Sequence, residues 1–438
     1  MLILLTHANH LYADRKQVRK MQPYPPLQTL IAAALLRRDG HEVVFFDSTF
    51  DRDFLAVLDA RRPDLLAVCE DNFNFLTKMC LLENRKLAFE MADAARARGI
   101  PAIVNSSDST NNPQAYLAAG FDCVITGELE QTLSEVCRDP GQPPLGIRAG
   151  TPVRDLDELP MPAWDLIDMQ AYRSAWLQAH GHFSVNLVAS RGCPYRCNWC
   201  AKPVHGDGYR QHSPDRVAAE LECVQDLFAP DQIWFADDIF GLSAKWTREF
   251  ADCVERRGVR LPFRMQSRCD LMIRETVDSL ERAGCAEVWM GAESGSQRIL
   301  DAMEKGIRVG QIAEARRNLS RHGIRACLFL QLGYLGEEWD DIERTIAMVR
   351  EVQPDDIGVS VSYPLPGTRF HQIVRAQIGQ QANWQDSADL AMMYQGAFST
   401  EFYRVLADAL HLEVRSGADR RAAEEAWEKV EQLRCACC

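Results

Sequence analysis

The sequence predicts an α/β chain built from two successive sets of parallel βα units. A doubly wound sheet comes first, then a partial (β/α)6 barrel, then C-terminal helices. Three observations predict it. Short apolar runs alternate with helical patterns over residues 1–137, and the same alternation restarts at Phe183 and runs to Thr368. Residues 138–182 between them are rich in proline and glycine. Beyond 368 the alternation stops. The expected divisions are therefore 1–137, a linker over 138–182, a barrel over 183–368, and a helical region over 369–438.

In the first division the strand candidates are Leu2–Thr6, Glu42–Asp47, Asp64–Cys69, Pro101–Val104 and Asp122–Ile125. Helical stretches lie between them, such as Leu27–Arg38, which stops before Gly40, a C-terminal signal. Ligands of such sheets bind past the carboxyl ends of the strands. The loops there are Thr6–Pro25, Cys69–Cys80 and Asn105–Asn112, and Asn72, Asn74, Asp108 and Asn111 are candidates to line a polar substrate pocket. Proline density in 138–182 disfavours helix and interior strand there.

Composition narrows the classes. Hydrophobic content of 47% and charged content of 25% are those of an ordinary globular protein. The net charge of −13 without a lysine–arginine cluster argues against a nucleic-acid groove or an anionic membrane surface, because both need clustered positive charge. No apolar stretch approaches the ~20 residues of a membrane span, and Met1–Thr6 is too short for a signal segment. Fifteen cysteines without a secretion signal predict a reducing, cytoplasmic setting. Cys123, Cys223, Cys253, Cys285 and Cys327 sit singly in apolar patterns and are expected to be small core residues.

The barrel opens with the apolar run Phe183–Ala189, which feeds Arg191-Gly-Cys193-Pro-Tyr-Arg-Cys197-Asn-Trp-Cys200. This C-x₃-C-x₂-C spacing differs from the C-x₂-C-x₂-C run of ferredoxins and from the paired C-x₂-C of zinc ribbons. Three thiolates on a four-iron cluster leave one iron open, and an open metal position is where chemistry happens. A zinc knuckle with His205 as fourth ligand is the competing reading.

These residues resemble the signature of the radical S-adenosylmethionine (SAM) enzymes, C-x₃-C-x-aromatic-C, with Trp199 in the aromatic slot. The resemblance implies a [4Fe–4S] cluster on Cys193, Cys197 and Cys200, whose open iron chelates SAM and cleaves it reductively. It runs through the barrel in order. Ser213-Pro-Asp215 opens a helix, with Ser213 as N-cap. Strand Gln232–Phe235 delivers Asp237 and Asp238, which the family places beside the SAM amino group; capping the next helix is their plainer role. Strand Phe263–Ser267 delivers Arg268, which suits SAM or substrate by charge, or an ion pair with Asp270. Strand Glu287–Met290 ends in Gly291-Ala-Glu293-Ser-Gly295-Ser-Gln297, where Glu293 suits ribose hydroxyls or the amino group, and Lys305 matches the lysine usual downstream. Strand Ala326–Leu332 with Gly333-Tyr-Leu-Gly336-Glu337 matches G-x-P-G-E except for Leu335, and it implies that Gln331 and Gly333 lie against the adenine. Strand Gly358–Ser362 and the turn Tyr363-Pro-Leu-Pro-Gly-Thr368 close the set.

The first division, through Tyr24-Pro-Pro-Leu27, Asp39-Gly-His-Glu-Val43 and Asp122–Thr132, resembles the cobalamin-binding domain that precedes the radical SAM domain in one subfamily. Asp155–Trp164 resembles that subfamily's connector. The D-x-H-x-x-G run that supplies a cobalt-ligating histidine is missing, and Asn105–Thr110 stands where relatives carry a glycine-rich stretch. The fold is implied; cobalamin binding is left open.

In Asp419–Arg434 the residues Ala423, Trp427, Val430 and Leu433 fall on one helical face, a packing stripe. The chain ends in Arg434-Cys435-Ala-Cys437-Cys438, three soft thiols suited to a thiophilic partner, or a terminus with no partner. This end is similar to that of the radical SAM enzymes of arsinothricin biosynthesis, which transfer the 3-amino-3-carboxypropyl group of SAM to arsenic. The expected function is transfer of a SAM-derived group, methyl or 3-amino-3-carboxypropyl, to a small-molecule substrate. A one-electron reductant such as a flavodoxin or ferredoxin serves as partner, and neither nucleic acid nor membrane is expected. The contrasting reading is a non-catalytic cobalamin- or zinc-binding sensor.

Overall fold

The computed structural model describes residues 1–138, 145–379, 383–387, 390–415 and 420–436. The described chain divides into two compact units. One draws on Met1–Pro194, Lys202–Asp237 and Asn383–Asp389, the other on Tyr195–Ala201, Asp238–Ala382 and Leu390–Cys438.

In the first unit β1 (Leu2–Thr6), β2 (Glu42–Phe46), β3 (Leu65–Cys69), β4 (Ala102–Asn105), β5 (Cys123–Thr126) and β6 (Gly146–Ala149) form one parallel sheet in the order β2-β1-β3-β4-β5-β6. Successive side chains of a strand point to opposite faces, and here both faces are apolar. Leu4, Leu66, Val68, Val104 and Val124 join one core, while Ile3, Leu5, Ala67, Ile103 and Ile125 join the other. Such two-sided burial produces near-continuous apolar runs instead of alternation, which is why these strands read so clearly. The strand order reverses between β1 and β3, the switch point where doubly wound sheets carry ligands.

The linker holds more structure than its prolines suggest. β6 lies at the sheet's edge with mostly exposed residues, a position that tolerates such a sequence. Contrary to expectation, Met169–His180 is a helix: Asp168 caps it by accepting from the Gln170 N–H, and Gly181 ends it in the left-handed region. Its Tyr172 and Trp176 are fully buried, and the Tyr172 hydroxyl donates to Asp47 at 2.8 Å. Tertiary burial outweighs the linker's composition.

Among the described residues six further parallel strands follow, the number expected. β7 (Ser184–Leu187) pairs with β10 (Gln232–Phe235) in the first unit. β11 (Phe263–Ser267), β12 (Cys285–Glu293), β13 (Arg325–Leu332) and β14 (Asp356–Val361) pair in sequence in the second. Between β7 and β10 the short strands β8 (Ser190–Arg191) and β9 (Arg210–Gln211) form an antiparallel pair. Ser213 caps the helix Pro214–Phe228 by accepting from the Arg216 N–H, as the sequence predicts. Cys123, Cys253, Cys285 and Cys327 are buried core residues, whereas Cys223 is only half-buried. The packing stripe of the last helix, Arg420–Ala436, centres on the fully buried Val430. Among the described residues no helix is long and apolar enough to cross a membrane.

Candidate cluster and cosubstrate site

The loop that carries the three cysteines leaves the first unit after Pro194 and enters the second at Tyr195. Its first half is fixed by charges sealed from water. Arg191, two residues before Cys193, donates from Nη2 to Glu130 Oε1 at 2.7 Å and from Nη1 to Glu128 Oε2 at 3.3 Å, with all three side chains buried. Arg210 grips the same Glu128. Burial alone would push the Glu128 carboxyl up, but His205, Arg210 and the Arg191 charge outweigh it and hold it well below the usual carboxylate range. Gly192 sits at φ +76°, and a Cβ there would run into the Gly208 carbonyl. Lys202 Nζ donates to the Cys193 carbonyl at 2.9 Å.

Asp237 belongs to this half. It is fully buried at the carboxyl end of β10 and accepts from the Ala189 N–H at 3.1 and 3.2 Å and from the Ser190 hydroxyl. The structure thus places Asp237 on the turn leading into the cluster loop. Asp238 is half-buried beside it in sequence.

The second half is tied to the helix Gln297–Ala302. The Asn198 N–H donates to the Met303 carbonyl at 3.0 Å, its Nδ2 to the Ala302 carbonyl at 2.8 Å, and its own carbonyl accepts from Phe370 at 2.9 Å. The Tyr334 hydroxyl bridges Asn198 Oδ1 and the Ala302 carbonyl. Trp199 packs on the apolar cluster of Ile299, Met303, Tyr334 and Phe370, and its Nε1 has no partner among the described residues. Cys197 and Cys200 on either side are half-buried, as is Cys193.

Arg268 is buried at the end of β11. Its Nε and Nη2 pair with Asp270 at 2.9 and 3.1 Å, its Nη1 donates to the Lys305 carbonyl at 2.9 Å, and its guanidinium lies 3.7 Å over the Tyr195 ring. The ion pair with Asp270 expected of it is present. Glu293 ends β12 at φ +60°, a strained conformation for a residue with a side chain. Lys305 Nζ donates to its Oε1 at 2.6 Å, and a Cβ at Gly291 would collide with both groups. Burial pulls the Lys305 ammonium down, but Glu293 and Cys197 raise it overall. Gln331 is buried with Oε1 unpartnered among the described residues. Gly333 turns at φ +73° and donates its N–H to Glu337 Oε2 at 2.6 Å; burial pushes the Glu337 carboxyl up to about 8.

Three expectations need correction. Asp108 is no open pocket residue: Arg85 clamps it, at 2.6 Å from Nε, and the Tyr116 hydroxyl bonds it at 2.8 Å. Asn72 is likewise spent on Gln28 and Asn105 inside the fold. His205 stacks on Phe73 with ring centroids 5.2 Å apart and lies 3.8 Å from Glu128, so it faces another set of partners than a zinc knuckle requires. Of the terminal cysteines, Cys435 is exposed; Cys437 and Cys438 lie outside the described residues. Sequence reasoning missed roles for Glu128, Glu130, Arg191, Lys202 and Asn198. Glu128, Glu130 and Arg191 lie within phrases that carry the family resemblance, yet an ion pair across 61 residues leaves no local pattern.

Among the described residues no three His, Cys, Asp or Glu side chains converge on a point that could hold one metal ion. A four-iron cluster spreads its thiolates over separate corners, and three half-buried thiols in a loop pinned on both sides suit that need.

Comparison with known proteins agrees. Residues 187–349 match the radical SAM superfamily. The chain is 29% identical over 219 residues to an uncharacterized methyltransferase of Pyrococcus horikoshii, covering 50% of this chain and 47%, about half, of that protein. It is 26% identical over 372 residues to the hopanoid C-3 methylase of Methylococcus capsulatus, covering 78% of this chain and 67% of that one. By fold it resembles the radical SAM methyltransferase TsrM from Kitasatospora setae, seen with cobalamin and a [4Fe–4S] cluster bound (TM-score 0.66, 19% identity, 86% of this chain and 74% of that one). It also resembles the cobalamin-dependent SAM radical enzyme OxsB, seen with aqua-cobalamin and SAM (TM-score 0.69, 17% identity, 100% of this chain and 71% of that one).

Proposed function

We propose that the chain is a radical SAM enzyme that binds a [4Fe–4S] cluster on Cys193, Cys197 and Cys200 and transfers a SAM-derived group to a small molecule. The carrying observation is the pinned cysteine loop, with Asn198 and Trp199 locked onto the helix that comes after the Glu293 phrase. When bound, the cluster supplies the electron that splits a sulfonium C–S bond. The chain's own residues hold the loop, place charge at the strand ends and exclude water. Asp238, Glu293, Gln331 and Gly333 are the proposed cosubstrate contacts. Arg268 and Asp237 are positioning residues for the two halves of the cluster loop, each being bonded within the protein. The domain limits proposed are those at 137, 182 and 368.

Methyl transfer is the first reading, supported by the methyltransferase and methylase among the relatives. Cobalamin is a proposed cofactor on the ground of fold. Residues 105–111, however, offer no imidazole to cobalt, and Asp108 there is committed to Arg85. The finer alternative is transfer of the 3-amino-3-carboxypropyl group to arsenic, supported by the soft thiols at Cys435, Cys437 and Cys438.

The test is anaerobic reconstitution with iron and sulfide, then dithionite and SAM. Absorbance near 400 nm and a SAM-cleavage product are expected, both lost on serine replacement of the three cysteines. Turnover surviving the triple replacement would end the proposal. Methylated product, or arsenite-dependent consumption of SAM that disappears on truncation after Arg434, separates the two transfers.

A further inference from the structure

A cluster held on the half-buried cysteines of an acidic protein must still receive electrons, and this inference rests on the radical SAM reading above. The second unit has a cleft of about 770 Å³ lined by Gly295–Arg298, Asp301, Gly306–Gly310 and Arg344. Arg298 and Arg344 are 54% and 58% exposed, and Arg308 is exposed as well. Beneath the first two, the buried Asp341 pairs with Arg298 and lies 3.5 Å from Arg344, so both guanidinium groups are held in place by one carboxylate. Among the lining residues, three arginines stand against the carboxylate of Asp301, and with the buried Asp341 counted as well the cleft keeps an excess of one positive charge on a chain of net charge −13.

One wall of the cleft is the helix Gln297–Ala302, which turns Arg298 and Asp301 toward it. The other side of that helix holds the cluster loop: Ile299 and Met303 pack on Trp199, and the Ala302 and Met303 carbonyls bond Asn198. One helix, about 10 Å across, therefore separates the cleft from the residue that sits between Cys197 and Trp199. A second short route leads from Gly306, whose carbonyl is 3.5 Å from Arg268 Nη2, through that guanidinium to the Tyr195 ring.

We propose that this arginine cleft is the docking surface for an acidic one-electron carrier protein. The carrier gives up one electron and the cluster gains it; no proton or bond is exchanged. Complementary charge steers such a partner to one place on a surface that elsewhere repels it, and pre-oriented arginines lower the cost of ordering on binding.

The test compares wild type with the double charge reversal R308E/R344E, neither residue being tied to the cluster loop. Binding of oxidised flavodoxin, measured calorimetrically at low salt, should weaken at least tenfold, and SAM cleavage driven by reduced flavodoxin should slow at least tenfold. Cleavage driven by dithionite should be unchanged, and R308K/R344K should restore both flavodoxin readouts. Equal loss with both reductants, unchanged flavodoxin binding, or a wild type that takes electrons from dithionite but not from flavodoxin overturns the proposal. So does saturable binding of pyrophosphate at this cleft without carrier binding. A wild type inert with dithionite instead overturns the radical SAM reading, and the docking surface with it.

Discussion

Arg191 and Glu130 meet at 2.7 Å with both side chains closed to solvent, and the next residues in the chain are Gly192 and Cys193. An ion pair so placed acts on the cluster loop from behind. Replacing Glu130 with Gln leaves the Arg191 charge buried and only partly compensated, at a cost of ~3–5 kcal/mol. Chemical denaturation should show that loss. Iron content after reconstitution should fall with it, whereas R191M/E130M should recover most of the stability.

Gly192 faces two constraints at once, a left-handed backbone and the Gly208 carbonyl where a Cβ would be. Gly192→Ala should destabilise by ~1–3 kcal/mol, as overpacking does. Its electron paramagnetic resonance signal after reduction should broaden or vanish, while Gly208→Ala, with open space around it, should leave the signal intact.

Trp199 contributes apolar area to the cluster of Ile299, Met303, Tyr334 and Phe370. Trp199→Ala should cost ~3 kcal/mol, the lower end for an aromatic because the side chain is only half-buried. Trp199→Phe should keep most of that stability and the cluster spectrum, since the Nε1 it removes has no partner among the described residues.

Glu337 gives the fold a pH dependence. Burial raises its carboxyl to about 8 in the folded chain, against 4.5 when free. Between those values the folded state keeps a proton that the unfolded state has lost, so stability falls as pH rises. Below the lower value both states are protonated and the full contribution is present; above the upper value no further loss occurs. Glu337→Gln removes the titration while keeping an acceptor for the Gly333 N–H. The denaturation midpoints of the two proteins should therefore diverge from pH 5 to pH 8. At pH 8 the variant should be the more stable by a few kcal/mol, since one retained proton costs about 1.4 kcal/mol for each pH step across that window. Parallel profiles would show that Glu337 ionises freely in the folded chain.

Much of this architecture is legible because burial writes itself into sequence. Strands Leu2–Thr6, Gln232–Phe235 and Phe263–Ser267 and the helix Leu27–Arg38 fall where the apolar runs place them. The cysteine loop and its aromatic are legible through spacing. What escapes depends on partners distant in the chain. The helix Met169–His180 is held by burial of Trp176 and by the Tyr172–Asp47 bond, which no local pattern announces. A carboxylate at a strand end commonly faces a ligand, but Asp237 binds the preceding turn instead. Glu293 has the sequence context of an open acceptor, yet its Oε1 is taken by Lys305, twelve residues on.

The ties of Asn198 to Ala302, Met303, Tyr334 and Phe370 are all made of protein. None of these bonds runs through a metal, so loss of the inorganic core would break none of them, in contrast to small zinc modules whose fold is carried by the ion.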